Sequence, residues 1–270
     1  MTAYIYTNNC KDPDGICTEQ LINRLNELNV HTKRITGDNI GSTKKRDVLF
    51  VIGGDGTILD VKNLALKHDL PIIGINAGKL GFLTEFERGE VSVAADSFFN
   101  NSLKEDKRIC CSIEVSGKVF SALNEITIQR IYDSNCKNGL ITDLAVYING
   151  DKLENLTGDG VIICTPTGST AYSLASGGSV LTPDVKAFSI VPICAHSIFA
   201  KPIVYSSDCI VGIENVGETD TGVFADGEYI GSLRVKEKIE IRKSSKTLTF
   251  LRKFNYNFLT RLVKKLGDRF

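Results

Sequence analysis

Val48-Leu49-Phe50-Val51-Ile52-Gly53-Gly54-Asp55-Gly56-Thr57 is a run of five apolar residues that breaks into two glycines, an aspartate, a third glycine and a threonine. Helical spacing resumes at Ile58, Leu59, Val61, Leu64, Ala65 and Leu66. The run is too short for a helix and rich in β-branched residues, so it predicts a buried parallel strand. A glycine turn and a helix succeed the strand. Glycine permits φ > 0 and lets backbone N–H groups approach a ligand with no side chain between. The N-terminal end of the helix favours phosphate at the same spot. A tight turn that needs glycine for geometry alone is the competing reading. The aspartate weighs against it, because a carboxylate there repels phosphate unless it orients a hydroxyl or a metal-bound water.

Outward from this stretch, residues 3–7 read as a strand, and Ile16, Leu21, Ile22, Leu25 and Leu28 keep a helical period beyond Pro13. Residues 30–35 form a second short strand and 37–46 a polar loop. The helix after the glycine turn ends near His68, and 71–75 is the next strand. Strands alternating with helices imply a parallel sheet with right-handed crossovers. Ligands bind such sheets at the carboxyl ends of the strands, where 53–57 sits. A second glycine loop, Asn76-Ala77-Gly78-Lys79-Leu80-Gly81-Phe82-Leu83-Thr84, leaves the neighbouring strand at the same edge. Lys79 is there either a local cation or a solvated side chain. Phe82 either stacks on a base or belongs to the core.

Beyond Asn100 the pattern changes. Segments 109–115, 119–130, 144–148 and 161–164 are strand-like and separated by turns such as Ser116-Gly117 and Asn149-Gly150-Asp151. Asn149-Gly150 is a strong hairpin signal. Segments 187–193, 209–213, 222–224, 238–242 and 246–251 continue in this way, so the second domain is expected to be all-β. Phe258, Leu259, Leu262, Val263 and Leu266 return to helical spacing, in a segment expected to pack back on the first domain. The fold class is therefore an α/β N-terminal domain with a parallel, Rossmann-like sheet plus an all-β C-terminal domain. The divisions are 1–100, 101–252 and 253–270.

The bulk numbers agree with two domains: 270 residues, 42% hydrophobic, 24% charged, six prolines. Lys+Arg and Asp+Glu balance at 32 each, which leaves no basic field for nucleic acid. Anionic ligands must be held locally, by backbone dipoles and a few cations. No apolar run approaches the ~18 residues of a membrane span, and residues 1–6 lack the layout of a signal peptide. The eight cysteines are scattered, without a C-x-x-C pair. They read as buried thiols in a reducing compartment, so the expected localisation is cytoplasmic.

Two constellations in the second domain carry chemistry. Asn124-Glu125 interrupts an apolar strand pattern; both side chains reach one ligand only if the backbone is irregular there, since neighbours on a strand face opposite ways. An outward face is the plainer explanation. Residues 158–178, Gly-Asp-Gly-Val-Ile-Ile-Cys-Thr-Pro-Thr-Gly-Ser-Thr-Ala-Tyr-Ser-Leu-Ala-Ser-Gly-Gly, run from a buried strand through a turn into a short helix. Thr167 or Ser169 is expected to cap that helix. The remaining hydroxyls, the backbone amides and the ring of Tyr172 suit a pocket for adenine or ribose.

The turn 53–57, the pair Asn124-Glu125 and the block 165–178 together resemble the NAD kinase family, whose members phosphorylate the 2′-hydroxyl of the adenosine ribose of NAD to give NADP. Gly74-Ile75-Asn76, Leu80-Gly81-Phe82-Leu83, Pro192-Ile193-Cys194 and His196-Ser197 also resemble family segments, in order over nearly the whole chain. The glycine–aspartate turn is shared with lipid kinases and phosphofructokinases; the Thr-Ala-Tyr block is more specific.

The resemblance implies a two-domain architecture with Asp55 as the catalytic aspartate, orienting the 2′-hydroxyl and accepting its proton. It implies that Gly53, Gly54, Gly56 and Thr57 meet the phosphates of ATP, or of polyphosphate, with Mg²⁺ arriving on ATP and no side chain assigned as a metal ligand. Asn124 and Glu125 match positions binding the NAD adenosine. Thr170, Ala171 and Tyr172 match the adenine pocket, with Thr167, Ser173, Ala175 and Phe82 beside them. Asp159 matches an aspartate reaching the nicotinamide-side ribose, in some members across a subunit contact. Asp226 and Glu228 resemble a late-chain aspartate motif. A homodimer or homotetramer is the expected assembly. Thr157 stands where some members have arginine, and Ala195 where proline is common. These departures bear on the choice between NAD and NADH, not on the reaction. The competing readings are a diacylglycerol or sphingoid-base kinase, which needs an apolar acyl slot, and a non-catalytic NAD-binding regulator, which gains nothing from Asp55.

Overall fold

Every residue of the strand Val48–Gly53 is buried, as a parallel strand covered on both faces must be. A computed structural model describes residues 1–37, 40–78, 81–131, 141–196 and 200–267. Lys79, Leu80, Cys136 and Ser197 lie outside the described residues. The chain forms two compact units, Met1–Lys107 with Leu248–Phe270, and Arg108–Thr247.

In chain order the first unit carries β1 (Thr2–Thr7), α1 (Ile16–Glu27), β2 (His31–Arg34), β3 (Val48–Gly53), α2 (Asp55–His68), β4 (Ile72–Asn76), β5 (Phe86–Glu87) and α3 (Val91–Phe99). Its parallel sheet runs β4–β3–β1–β2, with Ile52 opposite Ile75 and Ile5 opposite Phe50. One face packs Ala3, Ile5, Phe50, Ile52, Ile73 and Ile75 against Leu21 and Leu25 of α1 and Ala94 and Ala95 of α3. Helix α1 starts from Gly15 in the left-handed region, which has no side chain to cap it. The buried carboxylate of Asp12 does so instead, accepting from Cys17 N at 3.2 Å and Thr18 N at 3.0 Å. Helix α3 goes beyond the sequence reading; its apolar face (Val91, Ala94, Ala95) is too short to stand out beside a glycine loop.

The second unit holds the rest: β6 (Lys104–Val115), which starts in the first unit, β7 (Lys118–Ala122), β8 (Glu125–Arg130), β9 (Thr142–Ile148), β10 (Asp151–Gly158), β11 (Gly160–Cys164), α4 (Tyr172–Ala175), β12 (Ala187–Ile193), β13 (Ile203–Ser206), β14 (Val211–Asn215), β15 (Thr221–Ala225), β16 (Glu228–Leu233) and β17 (Lys238–Arg252). β17 ends in the first unit and leads to the last helix, α5 (Phe258–Gly267). A six-stranded antiparallel sheet, β13–β12–β11–β8–β15–β16, faces the antiparallel strands β10–β9–β14–β17. Between them lie alternate residues of each strand: Ile126 and Ile128, Val161 and Ile163, Phe188 and Ile190 from one sheet, and Leu144 and Val146, Ile239 and Ile241 from the other. This is the period-two signature of a sandwich core.

Three local expectations change. The segment 119–130 is two strands, β7 and β8, bent at Leu123-Asn124. The irregular backbone that the Asn124-Glu125 pair requires is therefore present. Segments 238–242 and 246–251 are one 15-residue strand, because the polar residues between them sit on an exposed stretch of β17 without breaking it. Strands 151–158, 203–206 and 228–233 go beyond the sequence reading, being too polar or too short for an apolar run. Asn149 and Gly150 both have positive φ and join β9 to β10, as the hairpin signal requires. The described cysteines are free thiols, and four of them (Cys17, Cys110, Cys111, Cys164) are buried; Cys10 and Cys194 are exposed, contrary to expectation. Among the described residues, no helix is long and apolar enough to cross a membrane.

Candidate active site

The turn after β3 is built for close approach rather than for left-handed backbone, since none of Gly53, Gly54 and Gly56 has positive φ. This corrects the expectation drawn from glycine's φ freedom. A Cβ on Gly53 would lie 2.4 Å from Thr57 Oγ1, whereas Gly54 and Gly56 would meet nothing within 4 Å. The first glycine lets α2 fold back onto its strand, and the other two leave the ground before the helix open. Thr57 is buried, its hydroxyl accepting from Asn8 Nδ2 at 3.1 Å and, more weakly, from Gly54 N at 3.4 Å. Its side chain thus ties the turn together.

Asp55 is the first residue of α2. Its carboxylate accepts from Phe82 N at 2.8 Å and Leu83 N at 2.9 Å. A Cβ on Gly81 would stand 2.1 Å from Asp55 Oδ1, so only glycine fits there. The same loop is held from its other side. Arg252, fully buried at the end of β17, donates to the carbonyls of Leu83 (2.7 Å), Thr84 (3.1 Å) and Phe82 (3.3 Å). It also pairs with Asp106 at 3.1 Å and Glu85 at 3.4 Å, and its guanidinium lies over the rings of Phe250 and Tyr256. Burial pushes the Glu85 carboxyl above its ordinary range, against the opposing pull of Arg252 and Arg261. Carbonyls toward Arg252 and amides toward Asp55 give the loop one orientation.

Helix α5 completes this group. Arg261 donates to the carbonyls of Gly81, at 3.2 Å, and Thr84. Phe258 packs against Phe82, with ring centroids 6.0 Å apart. Lys265 Nζ is 3.3 Å from Asp55 Oδ2 and 4.3 Å above the Phe82 ring. The Phe82 ring is 8% exposed and behaves as core; its backbone N–H is what reaches the aspartate.

A second group of the predicted residues gathers in the other unit. Asp226 and Gly227, both at positive φ, turn the β15–β16 hairpin. The Asp226 carboxylate accepts from Leu123 N (2.9 Å), Asn124 N (2.7 Å) and Glu125 N (3.1 Å), holding the bend between β7 and β8. Thr165 N donates to Asn124 O at 2.9 Å, and a Cβ on Gly168 would lie 2.1 Å from that oxygen. Neither Thr167 nor Ser169 caps the short helix. The Ser169 hydroxyl bonds Pro166 O and Leu181 N, and the Thr167 hydroxyl accepts from Arg108 Nη1 at 3.3 Å. The amide of Gly168 goes instead to Thr165 Oγ1. Thr165 is drawn into that role because its own hydroxyl is already fixed on Leu123 O. Thr170 and Ala171 are half-buried and Ser173 is buried, while Tyr172 is 40% exposed and Ala175 and Glu228 face outward. Burial pushes the nearby Cys164 thiol up to about 12, which leaves it inert as a nucleophile.

Asp159 stands apart from this group. β8 and β11 pair with Glu125 opposite Cys164 at one end and Gln129 opposite Gly160 at the other. Asp159, next to Gly160, therefore lies five residues, about 17 Å, along the ladder from Glu125. Its carboxylate pairs with Arg130 at 3.2 Å, so this aspartate has an arginine although position 157 does not supply one. Arg252, Arg261, Lys265 and Asn8 escaped the sequence reading. Each is an isolated polar residue whose partner lies far away in the chain.

Models of the ATP-NAD kinase N-terminal domain and ATP-NAD kinase C-terminal domain match residues 18–103 and 123–253. An NAD kinase of Caldicellulosiruptor bescii is 33% identical over 268 residues, 99% of this chain and 100% of that one. An NAD kinase of Lachnoclostridium phytofermentans is 33% identical over 286 residues, 98% of each. Among solved structures, an NAD kinase from Archaeoglobus fulgidus in complex with ATP superposes with a TM-score of 0.74 at 25% identity, covering 99% of this chain and 98% of that one. Yeast NADH kinase complexed with NADH shares the fold, with a TM-score of 0.81 at 24% identity over 99% of this chain and 87% of that one.

Proposed function

This chain belongs to the NAD kinase family, phosphotransferases with an alcohol acceptor, and on that premise we propose that Asp55 orients the 2′-hydroxyl of the adenosine ribose of NAD for attack on the terminal phosphorus of ATP. The lipid-kinase and regulator readings are not favoured. A bond forms between the 2′-oxygen and that phosphorus. The bond from phosphorus to the bridging oxygen breaks, its electron pair leaving with ADP, and the hydroxyl proton passes to Asp55. In so loose a transfer, positioning and charge neutralisation lower most of the barrier. The observation that carries this reading is the Asp55 carboxylate fixed by the Phe82 and Leu83 amides beside the open ground at Gly54 and Gly56.

Residues 1–100 receive the donor, its phosphates lying at Gly53, Gly54 and Gly56 before the N-terminus of α2, with Thr57 holding the turn. Residues 101–252 bind NAD: Asn124 and Glu125 on the adenosine, Thr170, Ala171 and Tyr172 on the adenine with Thr167, Ser173 and Ala175 beside them, and Asp159 with Arg130 on the nicotinamide-side ribose. Asp226 acts through the backbone it holds, and Phe82 through its amide. Mg²⁺ belongs on the donor's phosphates, where it offsets their charge, as Mg²⁺ commonly rests on phosphates, waters and one or two carboxylates. Polyphosphate is the alternative donor, the assembly is a homodimer or homotetramer, and the compartment is the cytoplasm.

The test is NADP formation from NAD with ATP–Mg²⁺ and, separately, with polyphosphate, for the native chain and Asp55→Asn. The variant should bind NAD nearly normally and turn over about 10²–10⁴-fold more slowly. Unchanged turnover would overturn the assignment.

A further inference from the structure

We propose that Lys265 of α5 is a phosphoryl-contact cation: it leaves Asp55 when the acceptor hydroxyl arrives and pairs with the phosphoryl group in transit. This inference rests on the reading of Asp55 as the hydroxyl-orienting base.

The lone pairs of the Asp55 carboxylate are shared among three donors. Oδ1 accepts from Leu83 N; Oδ2 accepts from Phe82 N and from Lys265 Nζ. A carboxylate offers about four acceptor sites, two on each oxygen: Oδ2 is full, and Oδ1, with one donor, is crowded by Gly81, where a Cβ would stand 2.1 Å from it. A hydroxyl that comes to Oδ2 must displace one of its two donors. The Phe82 amide cannot yield, because the carbonyl of its own peptide, Gly81 O, is held by Arg261 at 3.2 Å and the next carbonyl, Phe82 O, by Arg252. Lys265 can, since its ammonium ends a flexible four-carbon stem. The pair it would break is partly solvated, with side chains 21% and 28% exposed, so water screens its attraction and takes part in its exchange.

The displaced ammonium does not go far. Arg261 on the carbonyls of Gly81 and Thr84, and Phe258 against Phe82, anchor the helix that carries it. The face of Phe82, 4.3 Å below Nζ, favours a cation on that side. An oxygen bonded to Asp55 that attacks phosphorus brings the phosphoryl oxygens within a side chain's reach of the same spot. Charge spread over those oxygens in the transition state is what a tethered cation stabilises. If the role of α5 were adhesion alone, Arg261 and Phe258 would suffice, and an apolar residue would cover Phe82 as well as Lys265 does.

Lys265→Met, Lys265→Arg and Lys265→Ala in the full chain test this, with NADP formation measured on ATP–Mg²⁺ and on polyphosphate. Lys265→Met should lower kcat about 10²-fold on either donor with KM for NAD little changed, the pattern of an interaction made only in the transition state. Lys265→Arg should retain most of the activity, and ethylammonium should restore part of it to Lys265→Ala but add nothing to the native chain. A Lys265→Met enzyme as fast as the native one, a loss carried wholly by KM, or an Ala variant deaf to ethylammonium would overturn the inference. In each of these cases the native chain still phosphorylates NAD; a native chain that does not would instead sink the reading of Asp55.

Discussion

Asp55, at the start of α2, and Asp226, at the β15–β16 hairpin, each gather backbone N–H groups from a distant loop. Asp55 takes two, from Phe82 and Leu83, and Asp226 takes three, from Leu123, Asn124 and Glu125. The donors on Asp226 are consecutive amides of one bend, so its effect is to fix the backbone that presents Asn124 and Glu125. Asp55 shares one oxygen with an ammonium on a long stem. Backbone amides, once the loop is folded, are held at no further side-chain entropy cost; a lysine is held only while nothing better competes. One motif, a carboxylate gathering loop amides, thus serves as a fixed clamp in one unit and, with a replaceable partner, as the proposed site for chemistry in the other.

The contrast between clamp and chemical site is most severely tested at Arg252. Arg252→Met removes the buried guanidinium from Glu85, Asp106 and three carbonyls, and should cost about 3–5 kcal/mol of stability in denaturant unfolding. It should lower turnover as well, because the amides facing Asp55 lose their backing. A stable variant with native turnover would mean that the loop orients itself. At Asp226 a smaller change is expected. Asp226→Ala deprives three amides of a charged acceptor and places alanine at positive φ, which should cost about 2–4 kcal/mol. Asp226→Asn, tolerant of that backbone and still an acceptor, should lose less. Both should raise KM for NAD more than they lower kcat. A dominant fall in kcat would place Asp226 in the chemistry and dissolve the distinction between the two aspartates.

The glycine turn was legible because its signals are local: a strand's worth of β-branched residues, then Gly-Gly-Asp-Gly, then a helical period. The Asn149-Gly150 hairpin was legible for the same reason, since it rests on a rule that spans a few residues; the bend at Asn124 was visible only as a condition, within a segment that reads as one strand. The surroundings of Asp55 were not. Lys265 is 210 residues away in the chain and Arg252 meets Phe82 from 170 residues away, and an isolated cation in an amphipathic stretch carries no mark of its partner. Gly81 read only as part of a second glycine loop at the sheet's edge, but its lack of a Cβ is needed by a carboxylate that the sequence places 26 positions earlier. Asp226 sat in a visible motif, yet its use as an amide acceptor depends on the β15–β16 hairpin meeting the bend between β7 and β8, which spacing does not encode. Thr167 and Ser169 show the converse error: a correct rule for helix caps applied where tighter hydrogen bonds had already claimed the hydroxyls.

A crystal structure of the protein with NAD bound tests the role of Asp55 most directly. A carboxylate oxygen of Asp55 should lie about 2.6–3.2 Å from the 2′-oxygen of the adenosine ribose, or be joined to it through one water, with the Phe82 and Leu83 amides still in place. A ribose bound elsewhere, with Asp55 facing no substrate oxygen, would contradict that role.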